Sequence, residues 1–254
     1  MLGRIVPSAR SLLLWFGVLG AVLLALVVAR ETPLFGVRTI EVTGAPPGVQ
    51  HQVERALRDR RGESLVGLDL DAAQTDVAAL PTVAAVAFDR SYPHTLRVTI
   101  VPERPVAVVR QGAAAFVVSD RGRVVAQVPR TKRPELARIW VARDVHLEPG
   151  AIVDGDLRIA VGAVAPLAGV RFPGRVVSVT TGDEQLTLRL GSGLELRLGD
   201  PTHVDLKLAV AGRVLPLLPQ GSGYLDLSVP DRPVAGPPSV DPQVEVESST
   251  SSGA

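Results

Sequence analysis

Two pairs of carboxylates, Asp69/Asp71 and Asp154/Asp156, stand two residues apart, a grouping that a general acid and base could use. Each pair opens a stretch of helical periodicity, where aspartates serve as caps and turn residues; that reading is preferred. His51, His94, His146 and His203 are scattered, with no second His or Cys at ligand spacing, so no metal centre is expected. The chain has no cysteine, which removes disulfides, thiolate metal sites and a cysteine nucleophile. Gly191-Ser192-Gly193 lacks the spacing of a nucleophile elbow, and no glycine loop suited to phosphate is present. The expectation is therefore no catalytic residue, no cofactor, no metal and no small-molecule substrate. A net charge of +1 with interspersed signs argues against a nucleic-acid partner.

With chemistry absent, the elements themselves become the subject. Leu12 to Ala29 is an uncharged run, LLLWFGVLGAVLLALVVA, which as a helix would rise about 27 Å, near the hydrocarbon thickness of a bilayer. Trp15 suits an interface, and Arg4 and Arg10 precede the run, so a single transmembrane helix over 12–29 is expected, with residues 1–11 as a short cytoplasmic head. Val27-Val28-Ala29 would pass as a signal-peptide cleavage sequence. The run nevertheless exceeds the usual apolar core of about 7–15 residues in such a peptide.

Residues 35–103 predict a small β-α-α-β-β unit. Val37–Thr43 is rich in β-branched residues and stops at Gly44. Val49, Val53, Ala56 and Leu57 recur at helical spacing. A second helix is expected from Asp71, capped by it with Gln74 reaching back, and buried through Ala73, Val77 and Leu80. Val83–Asp89 reads as a strand, Ser91–His94 as a turn. In Thr95–Val101, Leu96, Val98 and Ile100 alternate with Thr95, Arg97 and Thr99, a strand with one buried face.

The stretch 104–236 reads as mostly antiparallel β. Strands are expected over Val106–Arg110, Phe116–Ser119, Val124–Val128 and Leu136–Ala142, with a helix over Ile152–Leu167. Leu186, Leu188 and Leu190, then Gly191-Ser192-Gly193, then Leu194, Leu196 and Leu198 predict a β-hairpin. Asp200 is expected to cap a helix with Pro201 at its first position, and Val204, Leu208, Ala211 and Leu215 form its apolar stripe. Tyr224–Val229 reads as the last strand. Residues 237–254 are rich in Ser, Pro and acidic side chains and predict a disordered tail. The fold class is thus α+β, behind a single N-terminal transmembrane helix.

Several segments resemble the FtsQ/DivIB family of bacterial cell-division proteins. Phe35-Gly36-Val37-Arg38-Thr39-Ile40-Glu41-Val42-Thr43-Gly44 resembles the first strand of an FtsQ-type POTRA domain. Leu80-Pro81-Thr82-Val83 and Ser91-Tyr92-Pro93-His94-Thr95-Leu96 resemble its turns, and Val101-Pro102-Glu103-Arg104-Pro105-Val106-Ala107 its exit. Gly199-Asp200, Lys207 and Gly223-Tyr224-Leu225-Asp226-Leu227 resemble the end of the family's β domain. The order of these motifs covers about residues 10 to 236. Two departures stand out: Thr82 where a tryptophan is frequent, and Pro230 and Pro233 in the final edge strand, where proline cannot donate to a ladder.

The resemblance implies a bitopic scaffold of the divisome in the cell membrane, N-terminus cytoplasmic and C-terminal domain extracytoplasmic, without catalytic activity. It also implies that the last strand pairs with an FtsB-like chain, which travels with an FtsL-like one. On this sequence the partner-binding residues would be Tyr224, Leu225, Asp226, Leu227, Ser228 and Val229, a terminal strand left uncovered on one side. A membrane-anchored secretion or cell-wall component carrying a POTRA domain is the alternative.

Overall fold

The computed structural model describes residues 15–24, 35–131, 133, 135–142, 145–182, 185–219 and 221–238. The chain divides into two units, Met1–Pro102 and Glu103–Ala254. Residues 15–24 are helical, with Trp15, Phe16, Val18, Leu19, Val22, Leu23 and Leu24 all exposed. No helix among the described residues is long and apolar enough to cross a membrane. The remainder of the expected span 12–29, the head and the tail beyond residue 238 lie outside the described residues.

In the first unit β1 (Thr39–Thr43), α1 (Pro47–Ala56), α2 (Leu70–Ala78), β2 (Val83–Ser91) and β3 (Thr95–Pro102) follow one another. The sheet order is β1-β3-β2; β1 runs parallel to β3 and β2 antiparallel to it. Period two decides the orientation of β3: Leu96, Val98 and Ile100 are buried, while Arg97 and Thr99 are exposed. The buried row joins Val53 and Leu57 at the first helix and Ala73 and Val77 of the second in one core. Pro47 opens α1, where its missing N–H costs nothing. The cap of α2 is Asp69 rather than Asp71: its Oδ1 accepts from the amides of Asp71 and Ala72 at 3.1 and 3.0 Å. The helix begins one residue before the expected cap, at Leu70, so Asp71 falls in the first turn.

The second unit is a nine-stranded sheet of order β12-β11-β10-β9-β8-β7-β4-β5-β6. Its strands are β4 (Pro105–Gln111), β5 (Ala114–Ser119), β6 (Val124–Gln127), β7 (Ala137–Trp140), β8 (Val176–Gly182), β9 (Gln185–Leu190), β10 (Glu195–Gly199), β11 (Tyr224–Asp226) and β12 (Val234–Gly236). Pairings β4–β7, β7–β8 and β10–β11 are parallel, and the other five are antiparallel. The leucine hairpin forms in the expected register, Leu196 opposite Leu188. Its inward leucines share a core with α3 (Gly155–Val164) and α4 (Val204–Val214). A smaller apolar cluster, Val108, Ala115 and Val117, occupies the opposite face.

Two strands escape the sequence pattern. In β8 the register shifts between Val176 and Ser178, and the bulge breaks period two. β12 is three residues long between Pro233 and Pro237. Asp200 does not cap α4. The helix begins at Val204 behind His203, whose φ is 51°, and the Asp200 side chain bonds locally to Thr202 instead.

Candidate functional site

The residues that could have carried catalysis are dispersed in structural roles. Asp69 caps α2, Asp154 and Asp156 sit at the start of α3, His94 Nδ1 lies 3.3 Å from the Gly36 carbonyl, and His146 faces Glu148 at 3.6 Å. Among the described residues no group of three or more His, Cys, Asp or Glu could hold a metal ion.

The feature with binding geometry is the end of the nine-stranded sheet. β11 is not terminal, which corrects the expectation from sequence. It lies between β10, with Glu195, Leu196 and Arg197 opposite Tyr224, Leu225 and Asp226, and β12, with Gly236, Ala235 and Val234 opposite the same three. Backbone bonds fix both sides: Glu195 N–H to Gly223 O (2.9 Å), Leu227 N–H to Arg197 O (2.7 Å) and Gly223 N–H to Gly236 O (2.8 Å).

The six residues expected to bind a partner therefore have three different fates. Leu225 and Leu227 are fully buried in the main core. Tyr224 and Asp226 lie on the sheet face away from that core. Ser228 and Val229 are outside any strand: Asp226 Oδ1 accepts from Ser228 N–H (2.9 Å) and Oγ (2.7 Å), and Arg232 N–H bonds Val229 O (3.0 Å). A side chain that mimics a backbone acceptor makes this a tight turn, and the turn sends the chain back as β12.

Side chains hold that last strand in place. The Arg197 guanidinium lies over the Tyr224 ring at 4.2 Å and reaches Glu195 at 3.4 Å, a stacked cation on an aromatic face. The same ring covers Gly236, where an added Cβ would meet ring atoms at 2.5 Å. A Cβ at Gly223 would run into the backbone of Pro237 and Pro238. Glycine is required at 223, where the clash is with backbone, whereas an added Cβ at 236 would displace the tip of the ring.

The free side of β12 follows from the same bonds. Gly236 O points towards β11, and Val234 shares its parity, so Ala235 turns its N–H and C=O outward. Continued alternation places Pro233 and Pro237 at the neighbouring outward positions. All three residues are exposed. The sequence contained one sign of this strand: proline in a sheet belongs at an edge.

A POTRA domain, FtsQ-type, matches residues 35–103. A cell division protein FtsQ from Streptomyces venezuelae is 28% identical over 231 residues, covering 90% of this chain and 84% of the relative. One from Mycobacteroides abscessus is 29% identical over 202 residues, covering 80% of this chain and 62% of that relative. One from Mycolicibacterium smegmatis is 33% identical over 99 residues, covering 39% of this chain and 30% of its own length. These relatives support a role in cell division. Residues 35–103 thus carry a POTRA domain of FtsQ type, and over most of its length the chain is similar to cell division proteins FtsQ.

Proposed function

We propose that this chain is a non-catalytic, bitopic scaffold of the divisome, anchored in the cell membrane by 12–29, that binds an FtsB-like chain and its FtsL-like companion through the extracytoplasmic sheet edge. One observation carries the reading: among the described residues the outer side of β12 has no neighbouring strand, and an extended segment adds to such an edge through backbone bonds, with alternate side chains giving selectivity. Tyr224–Val229 supports that edge and supplies its turn. A proline at Ser228 or Val229 would disturb the turn and would not probe the edge. The informative change is Ala235→Pro, which removes the outward donor without touching a bond to β11. Wild-type chain tagged and captured from membranes should bring down the FtsB-like chain, and Ala235→Pro should lose it while its circular dichroism is unchanged. Undiminished capture by the folded variant would remove this edge as the interface.

A further inference from the structure

We propose that the open edge of β12 is built to accept a foreign strand and to refuse a second copy of itself. The inference rests on the reading of this edge as the partner site, and it names what the edge discriminates against. An uncovered edge invites pairing with its own kind, because identical edges meet antiparallel about a two-fold axis. Three outward positions decide the outcome here: Pro233, Ala235 and Pro237, all exposed. Proline keeps its carbonyl and has no N–H, so this edge offers three acceptors and a single donor.

The two kinds of partner see different edges. A foreign strand with ordinary residues can exchange both bonds with Ala235 and donate to the carbonyls of Pro233 and Pro237, about four bonds in all. In a self-pair centred on Ala235, each Pro233 faces the other copy's Pro237. Neither can donate, so about two bonds remain and four carbonyls are left facing one another. The partner that fits is therefore a strand free of proline at the three facing positions, able to donate from each of them. Selectivity arises from what is removed, not from an added contact. The placement is what matters: prolines at 234 or 236 would have broken the bonds to β11, whereas at 233 and 237 they affect only the free side.

The test compares the full chain with the double variant Pro233→Ala/Pro237→Ala and with Ala235→Pro, each in detergent and each checked by circular dichroism. Sedimentation equilibrium measures self-association, and capture of the purified FtsB-like chain measures foreign pairing. The double variant should self-associate at least tenfold more tightly than wild type, and adding Ala235→Pro to it, which removes only the two central bonds, should take back part of the gain. Equal self-association of wild type and the double variant would overturn the proposal, whatever the capture shows. If Ala235→Pro leaves capture of the FtsB-like chain intact, the partner reading falls instead, and the comparison of self-association still decides what the prolines do. Should the double variant fail to fold, either single replacement restores one donor on each copy. It must raise self-association for the proposal to stand.

Discussion

At the scale of single residues, Lys207 is the position whose role its type hides. It lies on α4 beside the apolar stripe and is 1% exposed, yet a lysine at such a place reads as part of a solvated face. What buries it is the end of β10 and the turn beyond. Its Nζ donates to Asp200 O at 2.9 Å and to Asp200 Oδ1 at 3.3 Å. Replacing it by methionine keeps the stem but leaves the Asp200 carbonyl unpaired, so roughly 1–3 kcal/mol of stability should be lost in denaturant melts. The Asp200 carboxyl is lowered from its ordinary 3.8 to about 2, first by the Thr202 hydroxyl and amide and then by Lys207. A depressed carboxylate stabilises the fold fully above its unfolded value and loses that contribution as pH falls through the folded one. Wild type should therefore lose stability between about pH 4 and pH 2 in part through this group, and Asp200→Asn should flatten that part of the profile. An unchanged acid limb in the variant would show that Asp200 contributes nothing there.

At the scale of elements, the outcome depended on whether one face of a strand is buried. β3 was legible because Leu96, Val98 and Ile100 meet a core while Arg97 stays in water between Glu41 and Asp89, at 3.4 and 3.5 Å. Leu96→Ala should cost about 2–5 kcal/mol. Arg97→Ala should cost within about 1 kcal/mol, because exposed ion pairs contribute little. Equal losses in denaturant melts would contradict the register. The leucine hairpin was legible for the same reason. β8 was not, since its bulge interrupts the alternation, and β12 was not, since Val234-Ala235-Gly236 has no core-facing row of its own. It exists because Tyr224, fixed by Arg197, lies over Gly236. That contact joins a ring to a residue without a side chain across the turn, and no periodicity announces it. Gly236→Ala should lift the ring off the strand. Amide exchange at Val234 and Gly236 should then quicken by about tenfold or more while that of Leu96 stays unchanged, because terminal strands open locally without global unfolding. Unaltered exchange would mean that the ring does not hold the strand.

At the scale of the whole molecule, the chain is similar to division proteins and the fold contributes a sheet edge, so the compartment of that edge decides which partners can reach it. The apolar run 12–29 precedes β1, and a helix of that composition gains nothing from water, with apolar side chains on every face. Arg4 and Arg10 stand before it, and Arg30 is followed at once by Glu31, so the excess of positive charge favours the N-terminal side as cytoplasmic. With that orientation, everything after residue 30 is exported together, and Ala235 meets only partners that present an extended segment on the outer side. The absence of cysteine is compatible with an oxidising compartment, since no thiol is available to mispair. A reporter active only outside the cytoplasm, fused after Ala254, should work, and the same reporter fused before Leu12 should not. Mass spectrometry of the mature chain should find Met1–Ala29 retained. A mature terminus at Arg30 would turn the anchor into a cleaved leader and leave the edge of β12 on a released domain, which could not hold a partner at the septal membrane.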